Sequence, residues 1–186
     1  MFWSDYFSSL MAELNILSGN INSIFRGKNI KFDNNLLNEY DIGIFIDARV
    51  NLDRLKVLKS KFNFFDKPNQ FYTCLSREVC PKHGVLIYIN SSKLLRVIEC
   101  NNQSFVHNEP RIGYAVCELN GWGLTAIIGA YLPANGGVGH KIRIYEILIR
   151  VLKRLLETYS MGGISKLSWV QTSICPLTLC QMALPT

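Results

Sequence analysis

Apolar residues along this chain fall into short runs and two amphipathic stretches, and most of the architecture is legible from their spacing. Leu14 to Asn20 alternates in part, with Leu14 and Ile16 on one side, and reads as a first strand ending at Gly19-Asn20. Asp41 to Asp47 (DIGIFID) is apolar almost throughout and rich in β-branched and aromatic residues, as expected of a strand covered on both faces. Leu52 to Phe62 then places Leu52, Leu55, Leu58 and Phe62 along one face of a helix. Further strands are expected at Phe71 to Leu75, Gly84 to Asn90, Leu94 to Cys100, Ile112 to Leu119 and Leu124 to Leu132. Asn90-Ser91-Ser92 suggests a hairpin turn, and Asn120-Gly121 is a stronger hairpin signal because both residues tolerate positive φ. Lys141 to Tyr159 is the long helix, with Ile144, Leu148, Val151, Leu152, Leu155 and Tyr159 as its apolar stripe and Gly162-Gly163 as its stop.

The two ends differ from this middle. Residues 1–13 carry Phe2, Trp3, Tyr6, Phe7, Leu10 and Met11 at roughly helical spacing, a helical extension packed on the domain. A short helix is expected around Asn35 to Tyr40, within an asparagine-rich polar stretch. Residues 160–186 mix Ser, Thr, Cys, Leu and Pro without clear periodicity and do not read as a continuation of the domain at 14–159.

Apolar residues make up 48% of the chain and charged residues 18%, a balance that favours folding over disorder. The net charge of +6 permits a polyanionic partner such as nucleic acid without demanding one. The first residues carry Asp5 and no basic segment, so no secretory signal is read and an intracellular protein, cytoplasmic or nuclear, is expected. The six cysteines are then read as reduced, small core residues. Cys74, Cys80 and His83 have a spacing that matches no standard zinc pattern. No apolar run approaches the ~20 residues needed to cross a bilayer, so no membrane partner is expected.

Three strand ends carry polar groups suited to one chemistry: Asn20, Asp47 and Tyr131. Strand ends of a layered α/β sandwich converge on a rim. There a carboxylate and an amide oxygen could ligate magnesium, and a phenol could donate to a phosphate oxygen. Taken singly, each has a blander reading: a turn asparagine, a capping aspartate, and a strand-end tyrosine with a half-buried ring. His83, His107 and His140 read as surface or loop histidines.

In order and spacing these segments resemble the endonuclease/exonuclease/phosphatase superfamily, and most closely the apurinic-endonuclease-like domains of non-LTR retrotransposons. Asn20-Ile21-Asn22-Ser23 resembles that family's Trp-Asn-x-Asn/Asp-Gly motif, with Gly19 in place of the tryptophan. Asp41-Ile42-Gly43-Ile44-Phe45-Ile46-Asp47-Ala48 resembles its Asp-Ile-x-x-Leu-Gln-Glu-Thr strand, with Asp47 where the metal-binding glutamate stands. Tyr131-Leu132-Pro133 matches its Tyr-x-Pro motif, and Gly84-Val85-Leu86-Ile87 resembles its glycine-valine strand. The resemblance implies a partial two-sheet αββα sandwich and metal-dependent cleavage of a phosphodiester, in DNA. It implies that Asn20 orients the metal site or holds phosphate, Asp47 binds Mg²⁺ or Mn²⁺, and Tyr131 contacts the scissile phosphate. The Asp-for-Glu exchange shortens the ligand by one methylene, and small misplacements cost rate.

The family's later Gly-Asp-x-Asn and Ser-Asp-His motifs have no counterpart, since no aspartate follows Asp66 and no histidine follows His140. The chain is therefore expected to be catalytically incomplete. A nucleic-acid-binding module that does not cut, and an inert retroelement remnant, are the alternatives.

Overall fold

The computed structural model describes residues 14–26, 29–30, 39–61, 70–73, 83–100, 109–132, 137–159, 166–173 and 178–182. In chain order the strands are β1 (Ile16–Asn20), β2 (Phe25–Arg26), β3 (Asn29–Ile30), β4 (Ile42–Ile46), β5 (Gln70–Thr73), β6 (Val85–Ile89), β7 (Leu94–Cys100), β8 (Ile112–Leu119), β9 (Gly123–Leu132), β10 (Lys166–Ser173) and β11 (Thr178–Met182). Helix α1 (Leu52–Lys61) follows β4, and helix α2 (Val138–Tyr159) follows β9.

One sheet has the order β1-β4-β6-β5 and the other β11-β10-β9-β8-β7, with β2-β3 as a separate small pair. Side chains alternate along each strand, so each central strand serves two cores. From β4 and β6, Ile42, Ile44, Ile46, Val85, Ile87 and Ile89 point between the sheets, where they meet Ala115, Cys117, Leu119 and Ile127. Phe45, Leu86 and Tyr88 point the other way, onto Leu55 and Leu58 of α1. On the second sheet Ile112, Tyr114, Val116, Ala126 and Ile128 turn outward, against Ile144, Leu148, Val151 and Leu155 of α2. The result is an αββα stack of four layers, the architecture expected from the sequence. Truncating any one of those α2 side chains to alanine would cost about 2–5 kcal/mol.

The Asn90 turn departs from expectation. It joins β6 to β7, but those strands lie in different sheets, so it is a crossing between layers and not a hairpin. Lys93 N–H and Leu94 N–H donate to Asn90 C=O, and Asn90 N–H donates to Asp41 C=O. Burial explains the split. All of β6 is buried, a central strand, while β7 is partly exposed along its length and forms an edge. The Asn120-Gly121 turn does close a hairpin, with Gly121 at φ 77° and Leu119 opposite Gly123.

Two further differences concern the long helix and the residues C-terminal to it. Ile147 is buried with the stripe, and Arg154 on the same helix is drawn onto Glu99 of β7. The second sheet also continues past residue 159: β10 pairs in parallel with β9, and β11 pairs antiparallel with β10. The expected elements at 1–13 and at 35–38 lie outside the described residues.

Candidate functional site

β1 and β4 run parallel, with Asn20 opposite Ile46, so Asn20 and Asp47 leave the sheet at the same rim. β6 is antiparallel to β4 and begins where β4 ends, which puts His83 and Gly84 there too. In the facing sheet the same rim holds the end of β9 and the start of β8, because Ile112 pairs with Ala130. Tyr131 and Arg111 are thereby brought in, joined by the hydrogen bond from Tyr131 N–H to Arg111 C=O at 2.8 Å.

Asp47 is the buried charge of this rim. Its side chain is 8% exposed, while that of Arg49 is 40% exposed. Arg49 grips it with two bonds, Nε to Oδ1 at 3.1 Å and a terminal guanidinium nitrogen to Oδ2 at 3.1 Å. Such a fork is the strong form of an ion pair. The backbone is folded to allow it. Asp47 and Arg49 both sit at φ 54°, and their loop is held by Ala48 N–H to Gly84 C=O and Arg49 N–H to His83 C=O, each at 3.0 Å. Gly84, at φ 125°, occupies a conformation that only glycine adopts readily.

His83 lies between Asp47 and Tyr131. Its Nδ1 is 3.9 Å from Asp47 Oδ1, and its ring centroid is 5.9 Å from that of Tyr131. Burial holds its pKa below the usual histidine value, with the Arg111 guanidinium acting in the same direction against the pull of Asp47 and Glu109. It is therefore a neutral imidazole at pH 7. Arg111 donates to Glu109 Oε1 at 2.8 Å. His83 Nδ1 and Arg111 Nε are both buried and make no hydrogen bond among the described residues. Asn20 is exposed, and its Oδ1 accepts from Asn22 N–H at 3.1 Å.

The strained backbone gathers at the same place. Among the described residues, those other than glycine with positive φ are Asn22, Ser23, Asp47 and Arg49. The two segments are bonded to each other: Ser23 N–H donates to Asp47 C=O at 2.7 Å and Ile24 N–H to Ala48 C=O at 3.0 Å. Conformations of this kind cost about 1–3 kcal/mol each and persist where the surroundings over-determine them, which is common at functional sites.

The donor chemistry suits a hard divalent cation in one respect. A buried carboxylate is present, and both of its oxygens already hold a cation, the Arg49 guanidinium, where a metal ion's charge would otherwise sit. Among the described residues no three His, Cys, Asp or Glu side chains converge. Magnesium needs fewer, because it binds through one or two carboxylates and completes its shell with water and phosphate oxygens.

No protein-family model matches the chain, and neither does any curated protein. Solved structures do. The AP endonuclease LMAP from Leishmania major superposes with a TM-score of 0.59 at 13% identity, over 92% of this chain and 57% of that one. The APE2 catalytic domain from Xenopus laevis gives 0.55 at 19% identity, over 85% and 57%. Truncated TDP2 from Caenorhabditis elegans gives 0.51 at 12% identity, over 85% and 61%. The fold is that of the endonuclease/exonuclease/phosphatase superfamily. This chain spans about three-fifths of the length of those structures.

Within that fold, Asn20, Asp47 and Tyr131 all reach the one rim expected of them. Sequence reading missed His83, Arg111 and Glu109 as rim residues. The signal was topological: a strand antiparallel to β4 must begin at the rim where β4 ends, so the residue before it belongs to the site. The same holds for Arg111 before β8.

Proposed function

We propose that the rim formed by Asn20, Asp47, His83 and Tyr131 is a phosphate-binding site for nucleic acid, assisted by Mg²⁺ or Mn²⁺. The single observation that carries this reading is the gathering of the strained residues around the buried Asp47. The resemblance of the motifs to retroelement endonuclease domains supports DNA as the substrate class.

Asp47, with the Asn20 amide on the adjoining strand end, would hold the cation, whose chemistry is to neutralise phosphate charge. The Tyr131 hydroxyl would donate to a phosphate oxygen. His83, whose buried Nδ1 lies 3.9 Å from Asp47 Oδ1, would line the site between Asp47 and Tyr131. The chain's net charge of +6 favours a polyanion, while Arg49 and Arg111 at the rim are each paired with a carboxylate, Asp47 and Glu109. Hydrolysis also needs an activated nucleophile and stabilisation of the transition state. The groups gathered here among the described residues, by their number and kind, support binding of a phosphate.

The test is a pair of assays on the same preparation. Fluorescence anisotropy with a labelled duplex should give binding that weakens steeply with salt and strengthens with Mg²⁺. A supercoiled-plasmid nicking assay should give no turnover. Binding indifferent to salt and Mg²⁺ would sink the reading. Nicking by the wild type that disappears in Asp47→Asn would make the chain an enzyme in its own right.

A further inference from the structure

We infer that Arg49 is a built-in competitor for the cation of the Asp47 site: its guanidinium occupies the carboxylate, and a divalent ion enters only by displacing it. This rests on the reading of Asp47 as a metal ligand. The geometry points to an exchange because the two partners differ in freedom. The Asp47 carboxylate is buried at the end of a central strand and cannot follow the arginine outward. The Arg49 side chain is 40% exposed and can swing into solvent.

The pairing is built into the loop and does not arise from two distant groups meeting by chance. Positive φ at Asp47 and again at Arg49 turns the chain back on itself, so that the side chain at one position reaches that at the second position before it. Arg54 donates to Arg49 C=O at 2.9 Å, which holds the backbone while leaving the guanidinium unrestrained from that side. The site has little surplus negative charge to accept a divalent ion beside the guanidinium. Glu109 is already paired with Arg111, and His83 approaches Asp47 from the remaining side. Two cations cannot both be neutralised by one carboxylate, so the binding of one weakens the binding of the other, by a reciprocal factor typical of coupled sites.

The experiment measures Mn²⁺ binding to the full chain by electron paramagnetic resonance, with no DNA present. Wild type is compared with Arg49→Gln, Arg49→Lys and Asp47→Asn, each checked for native circular dichroism. Arg49→Gln removes the charge at similar length and should bind Mn²⁺ at least about fivefold more tightly than wild type. Arg49→Lys keeps the charge but loses the two-bond grip. It should fall between them, and it carries the test if the glutamine variant fails to fold. Asp47→Asn should bind no Mn²⁺. Unchanged or weaker Mn²⁺ binding in the Arg49 variants, with binding still lost in Asp47→Asn, would overturn the competition and leave the metal site standing. Absence of saturable Mn²⁺ binding in wild type and in both Arg49 variants would overturn both.

Discussion

Gly113 and Gly129 face each other across the β8–β9 ladder, and Val85 of the opposite sheet fills the space above both. A methyl group at Gly113 would lie 2.7 Å from Val85 Cβ, and one at Gly129 would lie 2.7 Å from Val85 Cγ1 and 2.8 Å from Ile44 Cγ2. The two sheets therefore approach each other closely just inside the rim that carries Asp47 and Tyr131. Gly113→Ala and Gly129→Ala should each destabilise the protein by about 1–3 kcal/mol through overpacking. Urea denaturation measures this. Adding Val85→Ala to Gly129→Ala should recover part of the loss, and a double mutant that is strictly additive would contradict the contact.

Glu99 ties the edge strand β7 to the long helix. It accepts from Arg154, from the Tyr114 hydroxyl at 2.6 Å and from the Tyr159 hydroxyl at 2.9 Å. Burial raises its pKa, but these three donors outweigh burial and hold it below the ordinary value of 4.5. A depressed carboxylate contributes stability above its unfolded-state value, and the contribution is lost as pH falls through the folded-state value. Wild-type stability should therefore fall as pH is lowered below 4.5, and Glu99→Gln should flatten that fall while costing about 1–3 kcal/mol at pH 7. Thermal melts across pH 3–7 measure both; equal pH slopes in the two proteins would rule out this role.

The αββα layering was legible in the sequence because burial on both faces leaves a plain mark: DIGIFID and GVLIYIN have almost no polar positions. Asp47 and Tyr131 were legible because strand ends can be read from where such runs stop. The crossing at Asn90 was not. A turn that joins two paired strands and one that joins two layers use the same residues, and only the partners of β6 and β7 distinguish them. His83 was missed for a related reason, since its place in the site comes from the strand that β6 pairs with and not from its own neighbours. The strand at Lys166–Ser173 was missed because β-propensity is weak evidence where packing against β9 decides.

Cys117 sits between the sheets, buried, with its thiol directed at Thr125 C=O at 3.7 Å. Burial pushes that thiol up to about 12, so almost no thiolate exists at neutral pH. Reaction with a thiol reagent needs the thiolate and access to it. Cys117 should stay unmodified by iodoacetamide at pH 8 in the native protein and become alkylated in denaturant, with peptide mass spectrometry reading the site. Rapid native alkylation of Cys117 would mean that the two sheets are not packed as described.

Tyr131 allows the phosphate reading to be tested apart from stability. Its backbone N–H is bonded to Arg111 and its ring rests near His83, but among the described residues its hydroxyl makes no hydrogen bond. Tyr131→Phe removes that oxygen and leaves the ring, so the melting temperature should barely move. If the hydroxyl donates to a phosphate oxygen, DNA affinity should fall by the worth of one hydrogen bond to a charged group, about 1.5–3 kcal/mol. In anisotropy that is roughly a 10- to 100-fold rise in Kd. The salt slope should stay unchanged, because no cation has been removed. Unaltered affinity would place the bound phosphate elsewhere on the rim. A large fall in melting temperature would mean that the hydroxyl serves the fold instead.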